Sequence, residues 1–419
     1  MKKFTRSVLP GLLIFGLAIS VQSAWAAAGS LDPTFGQGGV TVTNFASQSF
    51  VIPYSIKLQP DGKILVLVGA GGETAEVLRY TSAGALDTTF GSNGIATLPT
   101  PANTFGSMAL QPNGQIVVAG EITDPSGGAA AFGLQRLNAN GTVDTRFGRG
   151  GLGVASIGFP GTQAVLLIQP NGDILLGAQL EPTGRGQPFH TALARFLPAG
   201  ALDTTFGSNG TVSLPAVGGC TALALPSDGE ILVVNANEIA QFTSNGSLEP
   251  TVTGGTLVAS AGSQNPSTPS AFQPNGDYLL ATAVAIGAPR NHNFAAEVLR
   301  FTPTGGADAT FANPTFRFTG NGGTGVEDVI NGIAVQANGN IVVAGLHSTP
   351  SSTVNALARL TSSGTFDSTF GTNGIVINSV PASTGGLEGV AIQPADNKIV
   401  VVGTANNLTQ LTVSRYLAQ

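Results

Sequence analysis

Three features of the 419-residue sequence predict an all-β fold built from repeated four-stranded units. The stretch GALDTTFGSNG stands at residues 84–94 and again, letter for letter, at 200–210. A turn signature of the QPDGKI kind occurs at Gln59, Gln111, Gln169, Gln273, Gln336 and Gln393, with a degenerate copy, LPSDGEI, from Leu225. Between these punctuation marks lie short, solidly apolar runs such as residues 64–68 and 231–234. The seven copies run from Pro60 to Pro394, a mean spacing of about 56 residues. That is longer than the roughly 40–50 residues of WD40 or kelch repeats and leaves room for four short strands and their turns.

Taken in order, the chain begins with Lys2, Lys3 and Arg6, an apolar run over residues 8–21, then Gln22-Ser23-Ala24-Trp25-Ala26. A basic n-region, a short apolar h-region and a small-x-small site predict a secretory signal peptide over residues 1–26, cut after Ala26. Its run falls short of the ~20 residues a membrane helix needs, and no later run is that long without polar interruption, so no membrane span is expected. Cleavage removes three of the 17 basic and none of the 23 acidic side chains, leaving a net charge of −9. Nucleic acid is a poor partner for such a chain. Charged residues make up 10% of the sequence and Gly counts 58, against about 25% charged in ordinary domains. Small uncharged residues must therefore cover the surface, which suits many tight turns between short strands. Cys220 is the only cysteine, so no intrachain disulfide can form, and such a thiol reads as a small buried hydrophobe.

The sixth copy shows the unit. Residues 333–336 form a first strand, Ala337-Asn338-Gly339 turn it, and residues 341–345 form a second, wholly apolar strand. An Asn-Gly or Asp-Gly step between apolar runs is a hairpin signal, because both residues tolerate positive φ. A variable loop is expected over residues 346–354, a third strand over 355–360, the SSGTFDSTFGTNG connection, and a fourth strand over 375–378. Strands apolar on both faces must be covered on both sides by neighbouring sheets, as in the blades of a β-propeller. The last copy stops at the end of a third strand, Val413-Ser414-Arg415-Tyr416, while the mature N-terminus opens with Gly29-Ser30-Leu31-Asp32-Pro33-Thr34-Phe35-Gly36 and a strand over residues 40–45. The expected fold is one domain, residues 27–419: a seven-bladed β-propeller closed by an N-terminal strand that completes the last blade. Closure removes the exposed sheet edges an open solenoid would have to protect. An outer-membrane barrel fits less well, since its strands are longer and alternate apolar with polar.

The combination of LDxTFGxxG (residues 86–94), QPDGKI (residues 59–64) and a following LARY-like strand (Ala194-Arg195-Phe196) resembles the delta-60 repeat family of bacterial surface and secreted proteins. The resemblance covers essentially the whole mature chain. It implies a β-propeller and no particular reaction. The fourth copy departs from the pattern, with Leu248-Glu249-Pro250-Thr251-Val252 in place of LDxTF.

Two polar residues recur. Arg occupies one slot of the third strand at Arg79, Arg136, Arg195, Arg300, Arg359 and Arg415, six of the twelve arginines in the chain. An acidic residue follows in the next connection at Asp87, Asp144, Asp203, Asp308 and Asp367, with Asp32 serving the last unit. A guanidinium among apolar neighbours must have its donors satisfied, so each Arg is expected to be held by a carboxylate or by turn carbonyls. In the fourth copy Gln241, Glu249 and Val252 replace Arg, Asp and Phe together. An Asp after a turn commonly accepts backbone N–H groups, and a calcium site needs six to eight oxygens that this Gly- and Phe-rich stretch does not supply. The recurring Phe35, Phe90, Phe147, Phe206, Phe311 and Phe370 read as packing between units, and the hairpin Gln as a partner of its own turn backbone.

Binding residues favour variable loops on a rigid scaffold. The second-to-third loops are the variable ones, and all three histidines are expected there: His190, His292 and His347, with Arg185 and Arg290 beside them. These five are the candidate binding residues. Three histidines could hold a zinc ion, or serve acid–base work with Glu181, Glu297 or Glu327, but their spacing matches no metal motif. Lys57 stands in a first-strand slot that is Ala in most copies, where it could project a charge inside the ring or snorkel outward. No nucleophile elbow, P-loop or paired-Cys motif is present, no catalytic residue is assigned and no cofactor is predicted, a metal entering only through the histidines. The expected role is a secreted or periplasmic, monomeric binding or scaffold module for a glycan, peptide or cell-envelope partner. The rivals are a metal-assisted hydrolase, lactonase or lyase, and a purely structural surface protein.

Overall fold

The computed structural model describes residues 27–419 except 46–48, 72–73, 100–101, 124–129, 157–159, 181–189, 215–219, 226–228, 236–238, 250–268, 287–292, 304–305, 320–324 and 379–385. The expected signal peptide, Arg185, Arg290 and His292 lie outside the described residues. Among the described residues there are 27 strands and no helix, hence none long and apolar enough to cross a membrane.

After β1 (Val40–Asn44) the strands come in runs. β2 (Val51–Leu58), β3 (Ile64–Ala70), β4 (Thr74–Tyr80) and β5 (Ile95–Thr97) form an antiparallel sheet in chain order. β6 (Ala102–Leu110), β7 (Ile116–Thr123), β8 (Ala130–Leu137) and β9 (Leu152–Ala155) form a second, and β10 (Pro160–Ile168), β11 (Ile174–Leu180), β12 (His190–Phe196) and β13 (Thr211–Leu214) a third. β14 (Cys220–Ala224), β15 (Ile231–Asn235) and β16 (Ile239–Phe242) make a three-stranded sheet among the described residues. β17 (Ser270–Phe272), β18 (Tyr278–Ala285), β19 (Phe294–Phe301) and β20 (Thr315–Phe316) are followed by β21 (Glu327–Val335), β22 (Ile341–Thr349), β23 (Ser352–Leu360) and β24 (Ile375–Asn378). A single parallel bridge, Phe294 to Glu327, joins these two sets. Finally β25 (Leu387–Ile392), β26 (Ile399–Ala405) and β27 (Gln410–Tyr416) take β1 as their fourth strand, paired from Val40–Ser414 to Asn44–Gln410.

The apolar second strands explain how the sheets stack. All seven residues of β3 are buried. Successive side chains point to opposite faces: Ile64, Val66 and Val68 pack with Val400, Val402, Leu411 and Val413 of the last sheet, while Leu65 and Leu67 pack with Met108, Ile116 and Val118 of the next. Such a strand carries no polar–apolar alternation because neither of its faces meets water. The first strands adjoin in succession: β2 beside β6, β6 beside β10, β10 beside β14, β14 beside β17, β17 beside β21, β21 beside β25, and β25 beside β2.

Between stacked units lies a repeated clamp. In all six units that carry the arginine, its Nε donates to the carboxylate eight residues on, or to Asp32 for Arg415, at 2.7–3.0 Å. Its Nη1 donates at 2.5–2.6 Å to a carbonyl of the following unit: Arg79 to Ala139, Arg136 to Pro198, Arg195 to Ser244, Arg300 to Ser362, Arg359 to Ala418 and Arg415 to Ser82. The guanidinium also lies over the connection's Phe ring, 4.5–4.8 Å from its centre, a cation–π distance. That same Phe reaches the next unit. A Cβ at Gly84, whose φ is +88°, would stand 2.7 Å from the Phe35 ring, so the position requires glycine for both its backbone and its neighbour. The second carboxylate oxygen caps its own turn: Asp87 accepts from the Thr89 N–H at 3.1 Å and the Thr89 hydroxyl at 2.6 Å.

The hairpins and loops differ from the sequence reading in three ways. At the QPDGK turn only Gly62 takes positive φ. Asp61 contributes through its side chain, which accepts the Lys63 N–H at 3.2 Å. The hairpin Gln reaches outward instead of to its own turn: Gln336 Nε2 donates to the Asn397 carbonyl at 2.8 Å and Gln393 Oε1 accepts from Arg415 at 3.1 Å. In the sixth unit the expected loop over residues 346–354 is absorbed into β22 and β23, whose ladder continues through His347–Val354 to Thr349–Ser352. A ladder needs backbone partners, not apolar side chains, so the polar residues that end the apolar run do not end the strand.

Arg359 is 4% exposed, and removing one member of a buried ion pair typically costs about 3–5 kcal/mol. Arg359→Ala is therefore expected to lower unfolding free energy by about 3 kcal/mol, read from denaturant midpoints, and Arg359→Lys to recover only part of it, since an ammonium cannot repeat the fork. Acid acts on the same device. The Thr89 hydroxyl and N–H, with Arg79, hold the Asp87 carboxyl at about 2 despite burial. At Asp32 burial raises the pKa, but Thr34, Lys398 and Arg415 outweigh it and bring the value to about 2. Both values lie below that of the unfolded carboxylate, so this stabilisation is complete above about pH 4 and is lost as pH falls toward 2. Thermal midpoints across that window should fall in the wild type and fall less in an Asp87→Asn chain.

Candidate functional site

The seven first strands border one cavity of about 630 Å³. Its wall is repetitive in backbone and irregular in side chains. Most first strands break register against their second strand at a bulge, between Pro53 and Ser55, Phe105 and Ser107, Cys220 and Ala222, Ile330 and Gly332, and Leu387 and Gly389. A bulge frees one residue from the ladder and re-aims its side chain. The freed residues include Tyr54, Gly106, Asn331 and Glu388, and all four line the cavity.

Each bulge residue has a distinct setting. The Tyr54 ring lies against the second strand, where a Cβ on Gly69 would come within 2.7 Å of it; enclosure raises the phenol's pKa. Asn331 Nδ2 donates to the Leu387 carbonyl of the next unit at 3.0 Å, which spends its amide N–H on the wall. Glu388 is half-buried, and enclosure by protein pushes its carboxyl up to about 7. Lys57, three residues beyond Tyr54, also lines the cavity. It is exposed to solvent there, and the strands crowding around it hold its ammonium below the usual lysine value. Among the described residues neither Lys57 nor Glu388 has an ion-pair partner, whereas Lys63 meets Asp61 and Asp87, and Lys398 meets Asp32 and Asp396. Cys220 borders the same space but is fully buried, with its thiol pushed up to about 12; it is no nucleophile.

The histidines do not converge among the described residues. His190 is the first residue of β12, paired across the ladder with Leu180 in the third unit. His347 is not in a loop: it sits inside β22 of the sixth unit, 5% exposed. Glu297 accepts a hydrogen bond from Thr315 at 3.1 Å and Glu327 begins β21, while Glu181 lies outside the described residues. No group of three or more His, Cys, Asp and Glu side chains among the described residues could hold a metal ion. His347 does form a polar chain. Its Nδ1 is 2.8 Å from Oδ1 of fully buried Asp328 and its Nε2 is 2.8 Å from the Thr319 hydroxyl, which gives the order of a hydroxyl–imidazole–carboxylate triad. The geometry argues against that role. The same hydroxyl is 3.4 Å from Nδ1, so it lies beside the ring edge between the two nitrogens, out of line with the Nε2 lone pair that would take its proton. Asp328 also accepts the Phe318 N–H at 3.1 Å, and the cluster reads as a buried tie between β20, β21 and β22.

A family model described as "Domain of unknown function (DUF5122) beta-propeller" matches residues 59–90, 111–147, 169–206 and 336–370. Each segment begins at a hairpin Gln and ends at a clamp Phe, from Gln59 to Phe90 in the first. The four segments are thus similar to β-propeller repeats. What the propeller model matches is the second and third strands with their Arg, Asp and Phe, and Tyr54, Lys57, Asn331 and Glu388 all lie outside the matched segments. No curated protein matches the sequence. Among solved structures, the chain is similar to the extracellular domain of the putative one component system BT4673 from B. thetaiotaomicron, at 12% identity and TM-score 0.43 over 90% of this chain and 40% of that one. It is similar to the α-L-arabinofuranosidase Arb93A from Fusarium graminearum, at 10% identity and TM-score 0.46 over 89% and 94%. A glucose dehydrogenase matches at 12% identity and TM-score 0.41 over 90% and 99%. The chain thus spans 40% of the length of the BT4673 domain, and fold alone does not choose among such neighbours.

Sequence reasoning found Lys57 by its departure from the Ala slot and missed Tyr54, Asn331 and Glu388. A signal existed: each stands five residues before its hairpin Gln, a slot filled by Tyr54, Gly106, Ala164, Asn331 and Glu388 in five of the units. The slot changes chemistry from unit to unit while its surroundings repeat. One titration checks the setting. The folded pKa of Glu388 lies above its ordinary 4.5 at about 7, so its contribution to stability is present below 4.5 and declines as pH rises toward 7. Thermal midpoints of the wild type should fall over that window relative to Glu388→Gln, and the two curves should run parallel above it.

Proposed function

We propose that the chain is an exported binding module: a closed, monomeric, seven-bladed β-propeller of the delta-60 type, residues 27–419, whose first-strand cavity seats a small polar ligand of the glycan or peptide class. Export rests on the basic, apolar and small-x-small pattern of residues 1–26. Support for closure comes from three contacts: β1 completes the sheet of β25–β27, β25 adjoins β2, and Arg415 clamps the Ser82 carbonyl of the first unit at 2.6 Å.

The binding role is carried by one observation: the only cavity-facing cation and carboxyl among the described residues, Lys57 and Glu388, stand unpaired on adjoining first strands, in a chain that pairs its other described lysines and its clamp arginines. A purely structural ring has no use for an unpaired cation and carboxyl in these slots, and the Lys57 slot is Ala in most other units; a half-buried carboxyl without a partner, as at Glu388, is a cost to the fold. Volume and lining suit a ligand: pockets of about 300–1,000 Å³ with a few placed polar groups on apolar walls are the usual seats of small molecules. A larger envelope partner would engage the variable second-to-third connections, whose Arg185, Arg290 and His292 lie outside the described residues and whose His190 opens β12. An enzyme built on the histidines is not favoured, since His347 is committed to Asp328 inside the sixth unit.

A thermal-shift panel of glycans and short peptides tests the reading. A ligand at one hundred times its dissociation constant adds about 2.7 kcal/mol, and Ser55→Phe, which fills the cavity on the Lys57 side of β2, should abolish the shift while leaving the unliganded midpoint within a few degrees. A panel without a shift, or a shift that survives Ser55→Phe, would sink it.

A further inference from the structure

We propose that the ligand of this cavity is a small hydroxylated monocarboxylate of the sugar-acid class, held by its carboxylate on Lys57 and by its hydroxyls on Glu388 and Asn331. The assignment deepens the binding reading above and rests on it.

Lys57 sets the charge. Three lysines lie among the described residues, and the two outside the cavity each meet two carboxylates within 3.5 Å. Lys57 meets none, and apart from Glu388 the rest of the cavity lining among the described residues is apolar or uncharged, Ile52, Leu166 and Val390 included. An ammonium that faces a cavity without a carboxylate partner has its charge unanswered by the protein, and an entering anion would supply the counter-charge. The site offers a single compact cation, with no guanidinium fork on the wall, which matches one negative charge and a carboxylate better than a phosphate dianion. Glu388 strengthens that choice, because any ionised fraction of its carboxyl would repel a second negative charge.

The rest of the wall reads hydroxyls. Enclosure keeps a large share of Glu388 protonated near neutral pH, and a protonated carboxyl both donates and accepts. Asn331 has its Nδ2 bound to the Leu387 carbonyl at 3.0 Å, so its free oxygen is an acceptor. Tyr54 and Ser107 add hydroxyl groups, Ser107 already accepting the Leu166 N–H at 3.3 Å. One cation with several mixed donors and acceptors around a cavity of about 630 Å³ suits a sugar ring that bears one carboxylate.

Isothermal titration of the mature chain with D-glucuronate, D-galacturonate, glucose, galactose and inorganic phosphate at pH 6.5 tests the assignment. The sugar acids should bind at least tenfold tighter than their neutral counterparts and than phosphate. Lys57→Met, checked for an unchanged fold by its thermal midpoint, should erase that preference, while Glu388→Gln, which keeps a donor and an acceptor, should retain it. If neutral sugars or peptides bind in a manner that Ser55→Phe abolishes while the acids do not, the carboxylate assignment falls and the cavity reading stands. If phosphate binds as tightly as the acids, or the preference survives Lys57→Met, the assignment falls as well. If nothing binds, or binding ignores Ser55→Phe, both fall together.

Discussion

The guanidinium of the third-strand arginine is the constraint on which the rest of the structure depends. In a chain with 10% charged residues, that group meets four kinds of partner at once: a carboxylate of its own connection, a carbonyl of the following unit, a Phe ring beneath it and, at Arg79, Arg300, Arg359 and Arg415, a Thr hydroxyl at 3.0–3.3 Å. Three of these belong to its own connection and one to the neighbouring unit. The carboxylate is in turn held by N–H and hydroxyl groups two residues on, so the turn, the strand end and the seam between units form one network. Networks of this kind are costly when half satisfied, which accounts for the fourth copy losing Arg, Asp and Phe together. An arginine in the slot of Gln241, facing Glu249 without the ring, would leave an enclosed cation short of partners, and so would a ring kept without its cation leave the carboxylate beside it unanswered.

The clamp also explains the division of the molecule into a repetitive end and an irregular interior. Arg, Asp and Phe sit at the hairpin and connection end of six units, where the Asp holds its own connection while Arg and Phe reach the next unit. The first strands form a ladder with a second strand on one side and meet the neighbouring first strands through fewer bonds, such as Asn331 to Leu387 and Leu166 to Ser107. In most of them a bulge frees one residue at little cost to packing, since its side chain enters a cavity instead of a close-packed layer. That is where Tyr54, Asn331 and Glu388 differ from one unit to the next. The matched propeller segments stop short of these positions, as expected if the repeat holds constant what joins the units and leaves the bore free to vary.

Much of the fold was legible in the sequence because the clamp recurs. Gln59, Arg79, Asp87 and Phe90 repeat at fixed offsets, and the Ile-Val-Leu runs between them have no polar face, so sheets covered on both sides followed directly. Less legible was whatever depends on three dimensions alone. The polar tail of β22 looked like a loop because apolar periodicity ended at Gly345, although backbone pairing ran on to Thr349. His347 looked exposed for the same reason, and its burial beside Asp328 rests on β21 extending back to Glu327, which no local pattern announces. Lys57 stood out against Ala, whereas Glu388 stood in a slot without a consensus to violate.

Lys57 and Glu388 set a stricter condition on the site than either does alone. Had they met as an ion pair, each would have satisfied the other and the cavity would be closed chemistry, as at Lys398 between Asp32 and Asp396. Held apart on adjoining strands, they are displaced from their ordinary values in the same sense, toward the neutral forms: the carboxyl rises and the ammonium falls. Both displacements have one cause, loss of water without gain of a partner. An anion arriving at Lys57 reverses the displacement there, raising the lysine's proton affinity, and by its charge makes ionisation of Glu388 harder still. On the proposed binding role, ligation and protonation would be linked with a fixed sign: a ligand bearing one negative charge would be held more tightly at the pH where Lys57 is charged and Glu388 is not, and its entry would favour that same state.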